Sequence, residues 1–290
     1  MDTPSLIKLL NLAALVAIML SIGMTVTFEQ VAESAKHHLL VVFGVLANFV
    51  LVPLVTVSLL AAFQPDPLVS AGFLFLAVCP GAPLGPAFAQ IARGDVSMAT
   101  GSMVILAGLS VVLSPILLIV LLGWVASERN LSVSYLAILF TLLVTQLLPL
   151  ALGLVIHRVA PQLTQKLVKT IRAIANVLLL SLIAAIILAQ YETLADIRIR
   201  AWLGMVALFA SSLGIGWFCG GLNVEKQKSM ALTTSTRNVA VGLVIAGGSL
   251  AGTPAVTAVV AYGLFCTLGG LACAFLFIKV ANSRVSTAVL

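Results

Sequence analysis

Residues 233–238 form an unbroken polar row, Thr233, Thr234, Ser235, Thr236, Arg237 and Asn238. The row interrupts a stretch, SMALTTSTRNVAVGLVIAGGS at 229–249, that is otherwise composed for lipid. At about 1.5 Å per residue such a stretch reaches roughly 31 Å, the depth of a bilayer's hydrocarbon core. Arg237 lies nine residues beyond Lys228, so its guanidinium falls near the midplane. An arginine there costs at least about 2.5–3.5 kcal/mol, and from that depth it reaches neither headgroup layer. Its chemistry is a permanent charge on a planar fork of donors, the group that matches a carboxylate. The plainer alternative is a buried arginine that only braces a neighbouring helix.

A second irregularity is CPGAPLGP at 79–86, with Pro80, Gly81, Pro83, Gly85 and Pro86 inside eight positions. Each proline removes an amide donor and clashes with the preceding turn. The carbonyls so freed cannot face lipid, and must be buried in protein or line a wet cavity. This stretch is therefore expected to be two half-helices around an unwound middle. Asn48, in LANFVLVP, is a third polar residue at mid-depth; its amide suits either a ligand or an interhelical bond. Ser97, Thr100 and Ser102 are expected to bond their own helix backbone. The three histidines read as solvated.

These residues sit in a chain of 290 that is 61% hydrophobic and 8% charged, with a mean hydropathy of +1.21. Soluble domains carry about 25% charged residues, so the fold class is an all-α polytopic membrane protein. The net charge of +6 resides in the connections, which argues against nucleic acid as a partner. Cys79, Cys219, Cys266 and Cys273 lack CxxC spacing and read as small core residues rather than disulfides or metal ligands. No metal cluster, nucleophile–base set or HExxH motif is present, so an enzyme is not expected.

Apolar runs give nine expected transmembrane helices: 5–27, 38–63, 68–93, 95–125, 132–156, 170–190, 201–222, 229–249 and 254–280. The connections between them are short: QPDP at 64–67, SERNLS at 126–131 and NVEKQK at 223–228. The first run is too long for a signal peptide's apolar region and is kept as a helix. With the N-terminus outside, the inner segments hold ten basic residues and the outer ones four. That excess places the C-terminus in the cytoplasm, in a cell or inner membrane. The two irregular stretches are then the third and eighth spans, each preceding a long final helix. This is the arrangement of an inverted-repeat transporter whose discontinuous helices meet at midplane.

CPGAPLGPAFAQIARGD (79–95), LANFVLVP (46–53) and STRNVAVGL (235–243) together resemble, in order and spacing, the bile acid:sodium symporter family. The likeness runs from residue 5 to about 280 and is closest to the nine-helix form. It implies a core subdomain, 38–125 and 201–280, in which helices three and eight cross. It also implies a panel subdomain, 5–27 and 132–190. Substrate would lie between the two, near the crossing, and the core would move against the panel.

The sequence departs from that family where sodium is held. The family's Ser-Asn pair after the break is here Gly85-Pro86, and its two hydroxyl residues early in the next helix are Ala99 and Met103. Its glutamate and glutamine in the eighth span are Thr233 and Arg237, with Asn238 kept; its glutamine in the second span is Asn48. A hard cation wants oxygen ligands, preferably charged. At about 4 Å, a neighbouring guanidinium repels it by roughly 4 kcal/mol even at an effective dielectric of 20. The expectation is that Arg237 stands in for the cation. With Thr233, Thr234, Ser235, Thr236, Asn238 and Asn48 it would receive a small organic anion. No cofactor is expected, and sodium is disfavoured. The alternatives are a non-transporting membrane sensor on the same fold and, within transport, an arsenite-type exporter, against which this sequence places no thiolate at the third-span break with an acidic partner.

Overall fold

The computed structural model describes residues 3–125, 134–189, 191 and 199–287. The 126–131 connection, Arg129 and Arg198 lie outside the described residues, as do the side chains of Lys279 and Arg284. The described chain is helical. Seven helical segments are long and apolar enough to cross a bilayer.

These begin with α1 (Thr3–Gly23). The next is continuous from α3 (His38–Leu46) through a π-turn at Ala47–Leu51 into α4 (Val52–Phe63). After α7 (Val96–Val125) comes a second composite helix, in which α8 (Tyr135–Leu142) runs through a π-turn at Leu143–Leu147 into α9 (Leu148–Val159). The remaining three are α10 (Pro161–Ala189), α11 (Ile199–Cys219) and α14 (Pro254–Thr287). Both π-turns sit just ahead of a proline, Pro53 or Pro149. A ring without an N–H cannot close the α-pattern bond to the residue four before it, and a widened turn absorbs the mismatch.

Two stretches are built as pairs of short helices. The first is α5 (Pro67–Ala77) and α6 (Gly85–Ile91), and the second is α12 (Val224–Ser235) and α13 (Val239–Ser249). The first pair begins cleanly because Asp66 Oδ1 accepts from the Leu68 amide at 2.8 Å while Pro67 occupies the first turn. Its break falls where the prolines cluster. Gly81 takes φ +80° there, and a Cβ on it would lie 2.7 Å from the Ala107 nitrogen, so only glycine fits.

Packing sorts the helices. One set is α1 against α9 and α10. The other joins α4 to α11, α11 to α12, α5 to α14, and α6 to both α7 and α12. The sets meet where α1 touches α13 and where α7 touches α8. Gly216 lets α11 approach α12 closely, since a Cβ there would stand 2.6 Å from the Met230 carbonyl.

Three boundaries differ from the sequence expectation. NVEKQK is not a connection: Asn223 Oδ1 accepts from the Glu225 and Lys226 amides at 2.8 and 3.1 Å, so the helix starts at Val224. Lys228 is consequently buried inside α12. The sixth span starts at Pro161 rather than 170. Residues 28–36 form a further helix, α2 (Phe28–Lys36), with a reciprocal capping box between Thr27 and Gln30. The α2 helix packs on α7, where the Ser34 hydroxyl donates to the Ser97 carbonyl at 3.3 Å. His157, expected to be solvated, lies with Nδ1 2.6 Å from the Met24 carbonyl and ties α9 to the end of α1.

Candidate functional site

The two helix breaks touch, and their contact disposes of the backbone groups that the prolines set free. Four acceptors of the first break, between 77 and 81, find donors from other elements. The Ala77 carbonyl takes Arg237 Nη1 at 3.4 Å. Val78 takes the Ser114 hydroxyl from α7 at 2.5 Å. Cys79 takes the Asn238 amide at 2.9 Å. Gly81 takes the Asn238 side-chain amide at 3.4 Å. An orphaned carbonyl in an apolar interior costs several kcal/mol. Arg237 and Asn238 are thus the hydrogen-bonding complement of the proline-rich break.

Asn238 also caps α13, its Oδ1 accepting from the Val241 amide at 3.3 Å. The hydroxyls before it serve their own helix. Thr233 donates to Ser229, while Ser235 and Thr236 donate to Leu232, at 2.7, 3.3 and 2.6 Å. Thr234, fully buried, instead accepts from Asn48 Nδ2 at 3.2 Å. Asn48 is fully buried in the first π-turn, and its Oδ1 receives Arg237 Nη1 at 3.3 Å. Arg237, Asn238, Asn48 and Thr234 therefore form one network with the break at 77–81.

Arg237 is 3% exposed. It forms no ion pair with a carboxylate among the described residues. Its Nη2 has no hydrogen-bond partner among the described residues. The guanidinium is thus a buried charge with part of its donor fork unused. Gly85 faces Thr233: a Cβ on the glycine would lie 3.4 Å from the Thr233 Cα. The two positions at which the resemblance implies oxygen ligands in sodium-coupled relatives do meet, but here they offer one hydroxyl, already donated to the Ser229 carbonyl.

Further along, the 92–95 turn is clasped by α12. Lys228 Nζ donates to the Ala92 carbonyl at 3.1 Å, the Ser229 hydroxyl to the Asp95 carbonyl at 2.9 Å, and the Asp95 amide to the Glu225 carbonyl at 3.2 Å. Asp95 Oδ1 caps α7 through the Met98 amide at 2.9 Å.

Two cavities open nearby, and Arg237 lines neither. One, of about 520 Å³, lies among α4, α5, α11 and α14, has Arg200 and Asp66 in its wall and is mostly apolar. The other, of about 470 Å³, lies between α1, α8 and α13. Sequence reasoning overlooked Lys8 and Asn11 in the second cavity's wall. It also overlooked Gln146 in the second π-turn, which donates to the Ala107 carbonyl and the Ser110 hydroxyl of α7. A mid-span glutamine just before a proline, matching Asn48 before Pro53, was the available signal.

Comparison with known proteins bears on this arrangement. A family profile described as the Sodium Bile acid symporter family matches residues 12–197. The chain belongs to that family. Its relatives are named as transporters rather than enzymes, and the chain is an integral, multi-pass membrane protein. It is 20% identical over 234 residues to the "Uncharacterized sodium-dependent transporter YocS" of Bacillus subtilis, covering 79% of this chain and 71% of that one. It is 26% identical over 270 residues to the "Sodium-dependent organic anion transporter" of Bos taurus, covering 87% and 68%. Against the rice "Probable sodium/metabolite cotransporter BASS2, chloroplastic" it is 23% identical over 220 residues. That match takes in 75% of this chain but only half of the rice protein. The profile match ends before α11, so Arg237 and its break lie beyond it.

Proposed function

We propose that the chain is a secondary transporter of a small organic carboxylate, working by alternating access, with Arg237 in the place of a coupling sodium ion. The observation that carries this reading is the buried guanidinium at the junction of the two breaks. It has no carboxylate partner among the described residues and its Nη2 is unspent. A charge so placed costs several kcal/mol unless something offsets it. Two groups at the site are ready for an anion: the arginine fork and the N-terminal end of α13.

On this reading the helix pairs α5–α6 and α12–α13 are discontinuous spans that bring the total to nine. α3–α7 and α11–α14 form a core, and α1 with α8–α10 a panel. The basic-residue excess puts the N-terminus outside. Sodium is unsuited to the site because the positions that would hold it present Gly85, Pro86, Thr233 and Arg237. The bovine relative's name speaks of organic anions, and the substrate class here is carried over from it and from the charge of the site.

Counterflow in proteoliposomes tests the proposal. Vesicles preloaded with an unlabelled carboxylate should accumulate the labelled one transiently, without a sodium gradient. Binding without exchange would instead identify a sensor that has kept the fold.

A further inference from the structure

The cavity between α1, α8 and α13 carries chemistry that the helix junction does not use. Five of its thirteen lining residues are polar: Lys8, Asn11, Ser134, Thr141 and Ser249. Asn11 is 4% exposed, and its Oδ1 has no hydrogen-bond partner among the described residues. A buried amide oxygen left unmet costs about 1–3 kcal/mol, so its place in a cavity wall marks where a ligand's donor belongs.

The other polar groups point to the same complement. Thr141 has already spent its proton on the Ala137 carbonyl at 2.7 Å, so its hydroxyl faces a ligand as an acceptor, whereas Ser134 accepts the Ala137 amide and keeps its own proton to donate. The α13 helix ends at Ser249, and its final carbonyls lack intrahelical partners. A Cβ on Gly247 or Gly248 would meet nothing within 4 Å, so the glycines leave the wall open. Lys8 supplies the one cation. The wall therefore offers one positive charge and several acceptors.

We infer that this cavity binds a small hydroxylated carboxylate, with Lys8 pairing the carboxylate and Asn11 accepting from a hydroxyl. The inference deepens the transport reading above by naming the substrate class and a subsite for it. Its lining also speaks against a large apolar anion, which would leave Asn11 unmet. The bland alternative is that Lys8 merely complements the C-terminal end of α13.

The test uses the purified full chain and four probes in matched pairs, gluconate against hexanoate and malate against succinate, with binding read by thermal unfolding and calorimetry. Each hydroxylated acid should bind about tenfold more tightly than its bare partner. Lys8→Gln should weaken all four by about tenfold or more. Asn11→Leu should reduce the hydroxyl preference to within about twofold without lowering the ligand-free unfolding temperature, because it deletes an unmet amide.

Equal binding of the paired acids, no binding of any of the four, or variants that bind as the wild type does would each overturn the inference. A lower ligand-free stability of Lys8→Gln with an unchanged ligand response would assign Lys8 to the helix end instead. The two readings fail separately. Uptake that depends on Arg237 but ignores Lys8 and Asn11 sinks this site and spares the transport reading. Lys8-dependent binding without exchange across vesicles does the reverse.

Discussion

Replacing Arg237 with glutamine separates an anion's partner from a brace. The brace is weak as built: its two hydrogen bonds, to Asn48 and Ala77, measure 3.3 and 3.4 Å, at the outer edge of hydrogen-bond geometry. A glutamine amide can keep the Ala77 contact, and the change removes a buried donor, Nη2, that lacks a partner among the described residues. Ligand-free stability of Arg237→Gln should therefore stay within about 1 kcal/mol of wild type.

The effect on an anion is larger. Five residues of helix rise from Val239 to Val244, together with the non-helical 237–238 segment, put Arg237 on the order of 10 Å from the α1–α8–α13 cavity wall. At that distance and an effective dielectric of 20 the charge alone is worth about 1.7 kcal/mol, or roughly twentyfold. A direct forked contact, formed as the core moves, adds two charge-assisted bonds of about 1.5–3 kcal/mol each. Initial-rate uptake of labelled carboxylate into proteoliposomes should thus lose about twentyfold in kcat/KM from the charge alone, and more than about a thousandfold where the forked contact forms. Arg237→Lys should recover the charge-dependent part and not the fork. Uptake by Arg237→Gln within twofold of wild type would refute the reasoning, and the arginine would then be a brace alone.

Other outcomes follow from the same contacts. Gly81→Ala should lower stability by at least about 2 kcal/mol, from left-handed strain and collision with α7, read as the unfolding temperature in detergent. Ser114→Ala should cost about 1–3 kcal/mol by orphaning the Val78 carbonyl. Gln146→Ala should cost about as much, while Gln146→Leu should be close to neutral because Ser110 bonds the Ala107 carbonyl itself. On α2, the backbone amide and Thr27 hold the Glu29 carboxyl below the usual glutamate value. Its contribution is complete above pH 4.5 and fades as pH falls through the lowered value, so acid should speed hydrogen exchange over 28–36.

Much of the frame was legible because membranes tax sequence openly. Apolar runs, a proline cluster and an arginine among hydroxyls leave marks that no packing can hide. That the two breaks are complementary was not legible: the partners of Arg237 and Asn238 lie at 48 and 77–81, and sequence order carries no trace of such pairings. The α12 boundary was misplaced because a polar run reads as a loop until Asn223 is seen as a cap. Helix α2 was missed for the same reason, its nine residues being mostly polar and held by a capping box and the α7 surface. Gln146, Lys8 and Asn11 were passed over because one polar residue amid leucines acquires meaning only from what faces it. The hydroxyl row 233–236 was read as a ligand wall, whereas three of its four members serve their own backbone.

The central claim is that a covalently attached cation has taken over from a bound one. Its most direct test is carboxylate uptake into proteoliposomes with sodium replaced throughout by N-methylglucamine. The account expects the same initial rate in both media. A rate that collapses without sodium and is restored by adding it back would contradict the claim.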